Sequence, residues 1–288
     1  MSVIVSAESR VAIVGISGRF GSFSVRDLRA YGTKVVAGVS QSRAGGSYEG
    51  VPIFGTIAEA VRDAGADVGL IYVPAEGALD AVLEAIESGC RAVVYPGDGL
   101  PVADAIELRA AAQAAGVWLI GPNTPGLISP GQSKVGFMPS HCYTPGPVGV
   151  ISRSGSLSYE ACKRLTLHGL GQTTVVGIGG DPVKGLTAGE AIELFHGDSA
   201  TDRIVYLGEI GGVDEYAVAE YASRPEAKPV IALLVGKTAP PGKKMGHAAA
   251  MIGGHRDSWE AKVAALRAAG VRVATSLELL PKVTQDAK

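Results

Sequence analysis

The chain has 288 residues, room for about two domains at roughly 150 residues each. Its net charge of −2 excludes a nucleic-acid or polybasic membrane binder, both of which need a large basic excess. Glycine is abundant, at 40 residues, but follows no collagen period, and no apolar run reaches the ~18 residues that span a bilayer.

The chain opens MSVIVSAESR, which lacks the basic-then-apolar order of a signal peptide. Short β-branched runs then alternate with longer amphipathic stretches. The first five runs are 11–16, 34–39, 68–73, 91–95 and 117–121. Runs of this kind without polar alternation suit strands buried on both faces. Between them, 78–89 and 102–116 carry helical patterns. The former places Leu79, Val82, Leu83 and Ile86 on one face and ends at Gly89. Residues 122–147 break the rhythm with six prolines and are expected to hold no regular element. Five more runs follow: 148–152, 173–178, 203–210, 229–236 and 271–274. Strand–helix alternation predicts an α/β protein with mostly parallel sheets and right-handed crossovers. The expected division is 1–121, a proline-rich junction 122–147, and 148–288. Cys90, Cys142 and Cys162 are scattered and form no C-x-x-C pair. That argues against a disulfide framework or structural zinc, and for a reduced, cytoplasmic setting.

Three loops have the composition of chemistry. The first strand runs into Gly15-Ile16-Ser17-Gly18-Arg19-Phe20-Gly21-Ser22. Such glycines let backbone N–H groups approach a phosphate at a helix start, although a tight turn without a ligand has the same appearance. The second strand ends without the carboxylate that an NAD ribose requires and carries Arg43 instead. A cation there suits a ribose bearing an extra phosphate, as in NADP or coenzyme A. It is equally the composition of a solvated loop.

The second half opens with Ser152-Arg153-Ser154-Gly155-Ser156, leading into a helix. Free N–H groups and the positive end of the helix dipole make a phosphoryl site of Ser154, Gly155 and Ser156, or simply a serine cap. The third loop, 236–254, is rich in Lys, Pro and Gly and presents His247. Imidazole accepts a phosphoryl group on one nitrogen when a partner holds the other. Glu209, at the carboxyl end of an apolar strand and before Gly211-Gly212, is the candidate partner. His255, beside Arg256 and Asp257, has a surface composition.

In this order the motifs resemble the α subunits of succinyl-CoA synthetases (succinate–CoA ligases). The resemblance runs through YGTK (31–34), IYVPA (71–75), LEAIESG (83–89) and GPNTPG (121–126). It continues through SRSGSLSYE (152–160), GIGGDPV (177–183), GEIGG (208–212) and TAPPGKKMGHA (238–248).

The resemblance implies a Rossmann-like CoA-binding domain followed by a flavodoxin-like ligase domain. It implies a β subunit with an ATP-grasp site for ATP or GTP and Mg²⁺, and a small carboxylic acid as substrate. His247 corresponds to the phosphorylated histidine, Glu209 to its orienting carboxylate, and Ser154 to Ser156 to the phosphate-binding helix start. Ser17, Gly18, Arg19, Phe20, Gly21, Arg43, Val73, Pro74 and Pro96-Gly97-Asp98-Gly99 correspond to residues around CoA; Asn123 and Thr124 fall near the substrate. No metal ligand is expected on this chain. The sequence departs from the family at Thr124, where cysteine is common, at Arg43 for a lysine, at 97–99, and at Ala249 for a glycine. These departures touch the identity of the acid, for which malate and citrate are alternatives. Other classes are an NADP-dependent Rossmann oxidoreductase and a non-catalytic CoA-binding subunit.

Overall fold

A computed structural model describes residues 2–287. The first sheet comprises β1 (Arg10–Val14), β2 (Lys34–Val39), β3 (Ser47–Tyr48), β4 (Val51–Phe54), β5 (Val68–Ile71), β6 (Ala92–Val94) and β7 (Trp118–Ile120). Their order across the sheet is β3-β4-β2-β1-β5-β6-β7, and only β3 runs antiparallel to its neighbour. The connecting helices are α1 (Arg19–Tyr31), α2 (Ile57–Ala64), α3 (Ala75–Glu87) and α4 (Val102–Ala115). Local signals set several of their ends. Thr56 and Glu59 form a reciprocal capping box on α2, and α1, α2 and α4 stop at left-handed glycines.

The second sheet comprises β8 (Gly126–Ser129), β9 (Ser133–Gly136), β10 (Pro145–Ser152), β11 (Gln172–Gly177), β12 (Arg203–Glu209), β13 (Val230–Val235) and β14 (Arg272–Ala274). Their order is β14-β13-β12-β10-β11-β8-β9, with β8 and β9 antiparallel at one edge. Its helices are α5 (Gly155–Leu167), α6 (Ala188–Gly197), α7 (Asp214–Ala222), α8 (Trp259–Ala268) and α9 (Leu280–Gln285). All ten apolar runs of the sequence are strands, in two mostly parallel sheets.

The proline-rich segment differs from expectation, because 122–147 contains β8, β9 and the start of β10. The prolines do not enter the interior of the β8–β9 hairpin. Pro125 precedes it, Pro130 lies in its turn, and Pro139 follows it. Pro145 and Pro147 open β10, where the register against β11 is irregular. Proline needs only such ends and bulges to be tolerated in a sheet.

One buried apolar cluster, including Ile57, Val82 and Leu108, lies wholly in the first half, and another, including Val150, Leu165 and Ile231, wholly in the second. A third is shared, joining Val11, Ile13 and Leu70 to Leu127, Val176 and Phe195. Polar ties cross the same boundary. Arg109 on α4 donates to the carbonyls of Lys184 and Gly185 and pairs with Glu190 on α6. Buried Lys134 on β9 pairs with Asp27 on α1 at 2.8 Å.

In each sheet the parallel strands are added to opposite sides of one strand, with β1 between β2 and β5 and β10 between β11 and β12. Beyond the carboxyl ends of β1 and β5 lie the glycine loop and residues 72–76. Beyond those of β10 and β12 lie the Ser-Gly loop and Glu209. Open parallel sheets bind ligands at such switch points.

Candidate active site

Glu209 ends β12, and Arg153 follows β10, its parallel neighbour. The guanidinium, almost wholly buried, places Nη2 3.2 Å from Glu209 Oε1 and donates through Nη1 to Gly211 O at 2.7 Å. Asp214 and Glu215 at the start of α7 lie 3.6 and 3.7 Å from the same guanidinium. Lys184 pairs with Asp214 at 3.0 Å, and Lys262 with Glu215 at 2.5 Å. Three cations and three carboxylates thus compensate one another behind the site, as burial of charge requires.

The Lys/Gly loop brings His247 onto this cluster. Its Nδ1 lies 2.8 Å from Glu209 Oε2 and 3.0 Å from Oε1. Nδ1 donates to the ionised carboxylate, so Nε2 is left with the free lone pair. The hydrogen bond to Glu209 raises the imidazole pKa above its ordinary value, against the opposing effect of burial. Arg153 opposes the rise and Asp181 assists it. His247 is half-buried, whereas Glu209 is buried. The ring packs directly on Gly180, where an added Cβ would sit 2.5 Å from its Cγ.

Ser154 caps α5 by accepting from the amide of Leu157 at 3.4 Å. The amides of Gly155 and Ser156 have no partner among the described residues. Pro125 lies between this helix start and Gly177, at 3.2 Å from a Cβ placed on Gly155 and 2.5 Å from one placed on Gly177. Asn123 connects the two halves. It donates its backbone N–H to Gly97 O at 2.7 Å and its side-chain amide to Asp181 at 2.9 Å, and its carbonyl accepts from Gly180. Thr124 is buried, with its hydroxyl donating to Gly177 O and accepting from Gly126 N–H.

At the first switch point, Phe20, Val73, Pro74, Pro96, Gly97 and Asp98 line a cleft of about 530 Å³. Gly15 makes its close turn possible. It has φ +80°, and a Cβ there would lie 2.4 Å from Tyr72 O. Gly18 caps α1, and a Cβ on Gly21 would strike the Gly15 carbonyl at 2.3 Å. Ser17 reaches Ser40 at 3.2 Å. Arg43, on a single helical turn after β2, is exposed, as are Arg19 and Gly99. The sequence-derived CoA set therefore divides into six cleft residues and six outside the cleft lining: Ser17, Gly18, Arg19 and Gly21 of the glycine loop, Arg43, and Gly99. Tyr72, Tyr95 and Phe137 also line the cleft. Phe137, in the loop just past the end of β9, stands 5.3 Å from the Tyr72 ring and 5.6 Å from that of Phe20. Burial pushes the Tyr95 phenol up to about 12, so it remains an un-ionised wall of the cleft.

Sequence reading missed Arg153, Asp181, Glu215 and Lys262 as members of the site. Arg153 and Asp181 lie inside recognised motifs, a usable signal. Glu215 and Lys262 had none, since their meeting depends on how α7 and α8 pack.

This combination of a nucleotide-type cleft and a carboxylate-held histidine on two α/β sheets defines a CoA ligase subunit. The family models agree with it. That of the CoA binding domain matches residues 6–96, and that of the CoA-ligase family matches 151–272. The chain belongs to the family of succinate–CoA ligase (ADP-forming) α subunits. It is 46% identical over 275 residues to that subunit of Aquifex aeolicus, covering 95% of this chain and 90% of the relative. It is 46% identical over 277 residues to α subunit 1 of Archaeoglobus fulgidus, covering 96% and 95%. Among solved structures, ATP citrate lyase from Methanothrix soehngenii, in complex with citrate and coenzyme A, has the same fold, with a TM-score of 0.90 at 24% identity. That match covers 98% of this chain and 50% of the longer one.

Proposed function

We propose that the chain is the α subunit of a succinate–CoA ligase, with His247 as phosphoryl carrier. The observation that carries the reading is the Glu209–His247 couple, which leaves Nε2 as the free nucleophile. The relatives' names supply the acid and the nucleoside diphosphate. A β partner with an ATP-grasp site would hold ATP or GTP and Mg²⁺.

In the forward direction Nε2 attacks the γ-phosphorus of the nucleotide, forming an N–P bond as the diphosphate leaves. A succinate carboxylate oxygen then attacks phosphorus, the N–P bond breaks, and an acyl phosphate forms. The CoA thiol, losing its proton, attacks the acyl carbon and inorganic phosphate departs. Splitting the reaction in this way avoids attack on an unactivated carboxylate. Glu209 stabilises the cationic imidazole of the phosphorylated state, and the Gly155 and Ser156 amides offer donors to the phosphoryl oxygens. The first-half cleft would take the thiol-bearing arm of CoA, with Arg43 and the glycine loop receiving its phosphates.

Residues 1–121 would form the CoA-binding part and 148–288 the ligase part, with the β8–β9 hairpin completing the ligase sheet. No helix among the described residues is long and apolar enough to cross a membrane. The three free, buried cysteines are in keeping with a reducing, cytoplasmic compartment. The deciding experiment gives the complex with its β partner radiolabelled ATP and Mg²⁺ without acid. An acid-labile, base-stable phosphate is expected on this chain, absent in His247→Asn and retained in His255→Asn. Label mapped to any other residue, or full activity in H247N, would refute the reading.

A further inference from the structure

Lys262 on α8 lies behind the turn that follows Glu209, fully buried. Its ammonium donates to Gly211 O at 2.6 Å, Glu209 O at 2.9 Å and Glu215 Oε2 at 2.5 Å. Three acceptors use all the donors an ammonium has. Glu215 is fully buried too. Its Oε1 accepts the Tyr206 hydroxyl at 2.9 Å and the Glu209 N–H at 3.3 Å. The pair therefore grips Glu209 by both backbone polar groups, without contacting the imidazole.

The same turn carries the histidine loop. Gly211 has φ +76°, and a Cβ on it would fall 1.9 Å from Ala249 O, two residues beyond His247. The turn is also tied to Asp257 O by the Gly211 N–H at 2.9 Å. A shift of the 209–211 backbone would move the Glu209 carboxylate and the loop's support together. A buried ion pair is a poor source of stability, since apolar replacements of equal volume are commonly as stable. What an ion pair supplies here is directed hydrogen bonds that set the orientation of a backbone segment.

We propose that Lys262 and Glu215 are positioning residues for phosphoryl transfer, fixing the Glu209 turn so that its carboxylate meets Nδ1 of His247. The proposal rests on the reading of His247 as phosphoryl acceptor. The charged groups that face the imidazole are Glu209, Arg153 and Asp181. Those around Lys262 are Glu215, Arg153 and Asp214. Neither Lys262 nor Glu215 is among the groups facing His247, so their influence on its titration passes through the groups they share with it, the Glu209 turn and Arg153.

The test is Lys262→Met in the complex with the β partner, read by NMR titration of ¹⁵N-labelled His247 and by the rate of label uptake. A fall of the imidazole pKa toward the ordinary value is expected. Phosphorylation should slow at least about tenfold while CoA affinity stays within about twofold. If K262M does not fold, the double variant Lys262→Met with Glu215→Gln is read in the same way. It removes both charges of the pair together, so neither partner is left buried and unpaired, and its amide oxygen still accepts from Tyr206. Wild-type titration in a folded variant overturns the proposal. So does slowed uptake with an unmoved titration, which marks a merely structural role, and so does loss of fold in both variants. Absence of label on His247 in the unmodified complex would strike the functional reading instead, while the titration would still report on Lys262.

Discussion

The imidazole of His247 is seated on Gly180, with room for no side chain between them: a Cβ at that position would lie 2.5 Å from Cγ and 2.8 Å from Nδ1. Gly180→Ala should therefore push the ring off Glu209 and break the 2.8 Å hydrogen bond. Losing a hydrogen bond to a charged group is worth about 1.5–3 kcal/mol, so phosphoenzyme formation should slow by about tenfold to a hundredfold. Single-turnover labelling measures it. CoA binding, at the other switch point, should be unaffected, and an unchanged labelling rate would show that the contact is slack.

The pH dependence follows from the same couple. Because Glu209 raises the His247 pKa, the acid limb of phosphorylation should lie above the ordinary imidazole value of about 6.5. Nε2 must lose its proton to attack, so the rate falls as pH drops through the raised pKa. Glu209→Gln should move that limb to lower pH and also lower the plateau at high pH, by at least about tenfold. The stability contribution has the opposite sense. It is full below about pH 6.5 and is lost as pH rises through the folded-state pKa. Rate–pH profiles and urea titrations at both ends of the range measure the two effects. An E209Q limb at the wild-type position would detach Glu209 from the imidazole.

Arg43 is exposed on its helical turn and pairs with no carboxylate among the described residues, so removing it should leave stability unchanged. If it receives a CoA phosphate, Arg43→Ala should raise the Kd for CoA by about tenfold, the worth of a charge-assisted hydrogen bond. Added salt should weaken the wild-type site more than the variant. Calorimetric titration at two ionic strengths measures this, and equal salt slopes would remove Arg43 from the site.

Much of this arrangement was legible in the chain itself. Apolar runs without alternation marked every central strand, because both faces of a parallel sheet are buried. Glu209 and His247 were paired on the rule that strand ends face the ligand crevice, and the structure brings Nδ1 within 2.8 Å of the carboxylate. Strand β3 left no signal, being only two residues long, and β4, Val51–Phe54, is interrupted by exposed Pro52 and so presents no continuous apolar run. The β8–β9 hairpin was hidden by prolines that lie at its ends and turn. Phe137 was unreadable as a wall of the first-half cleft because it arrives from the loop after β9, in the other half of the chain. The Lys262–Glu215 pair joins residues 47 apart on two helices, and no local pattern encodes a contact of that kind.

The helix start at Ser154–Ser156 permits a test that separates charge from bulk. A Cβ on Gly155 would meet Pro125 Cβ at 3.2 Å and the Tyr159 hydroxyl at 3.4 Å, a tight contact but not an overlap. Gly155→Ala should fold and retain most phosphorylation, because the backbone amides of residues 155 and 156 are still present. Gly155→Asp adds the same Cβ and a carboxylate at the amides that would receive the phosphoryl oxygens. A carboxylate near a helix N-terminus is itself favourable by about 0.3–1 kcal/mol, so the variant should be no less stable than G155A. It should nevertheless lose phosphoenzyme, since its carboxylate occupies the donors and repels the incoming phosphate dianion. The expected pattern is near-normal labelling in G155A, little or none in G155D, and equal CoA affinity in both. Normal labelling in G155D would place the phosphoryl group elsewhere. Equal loss in both variants would mean that bulk against Pro125, rather than charge at the helix start, governs this position.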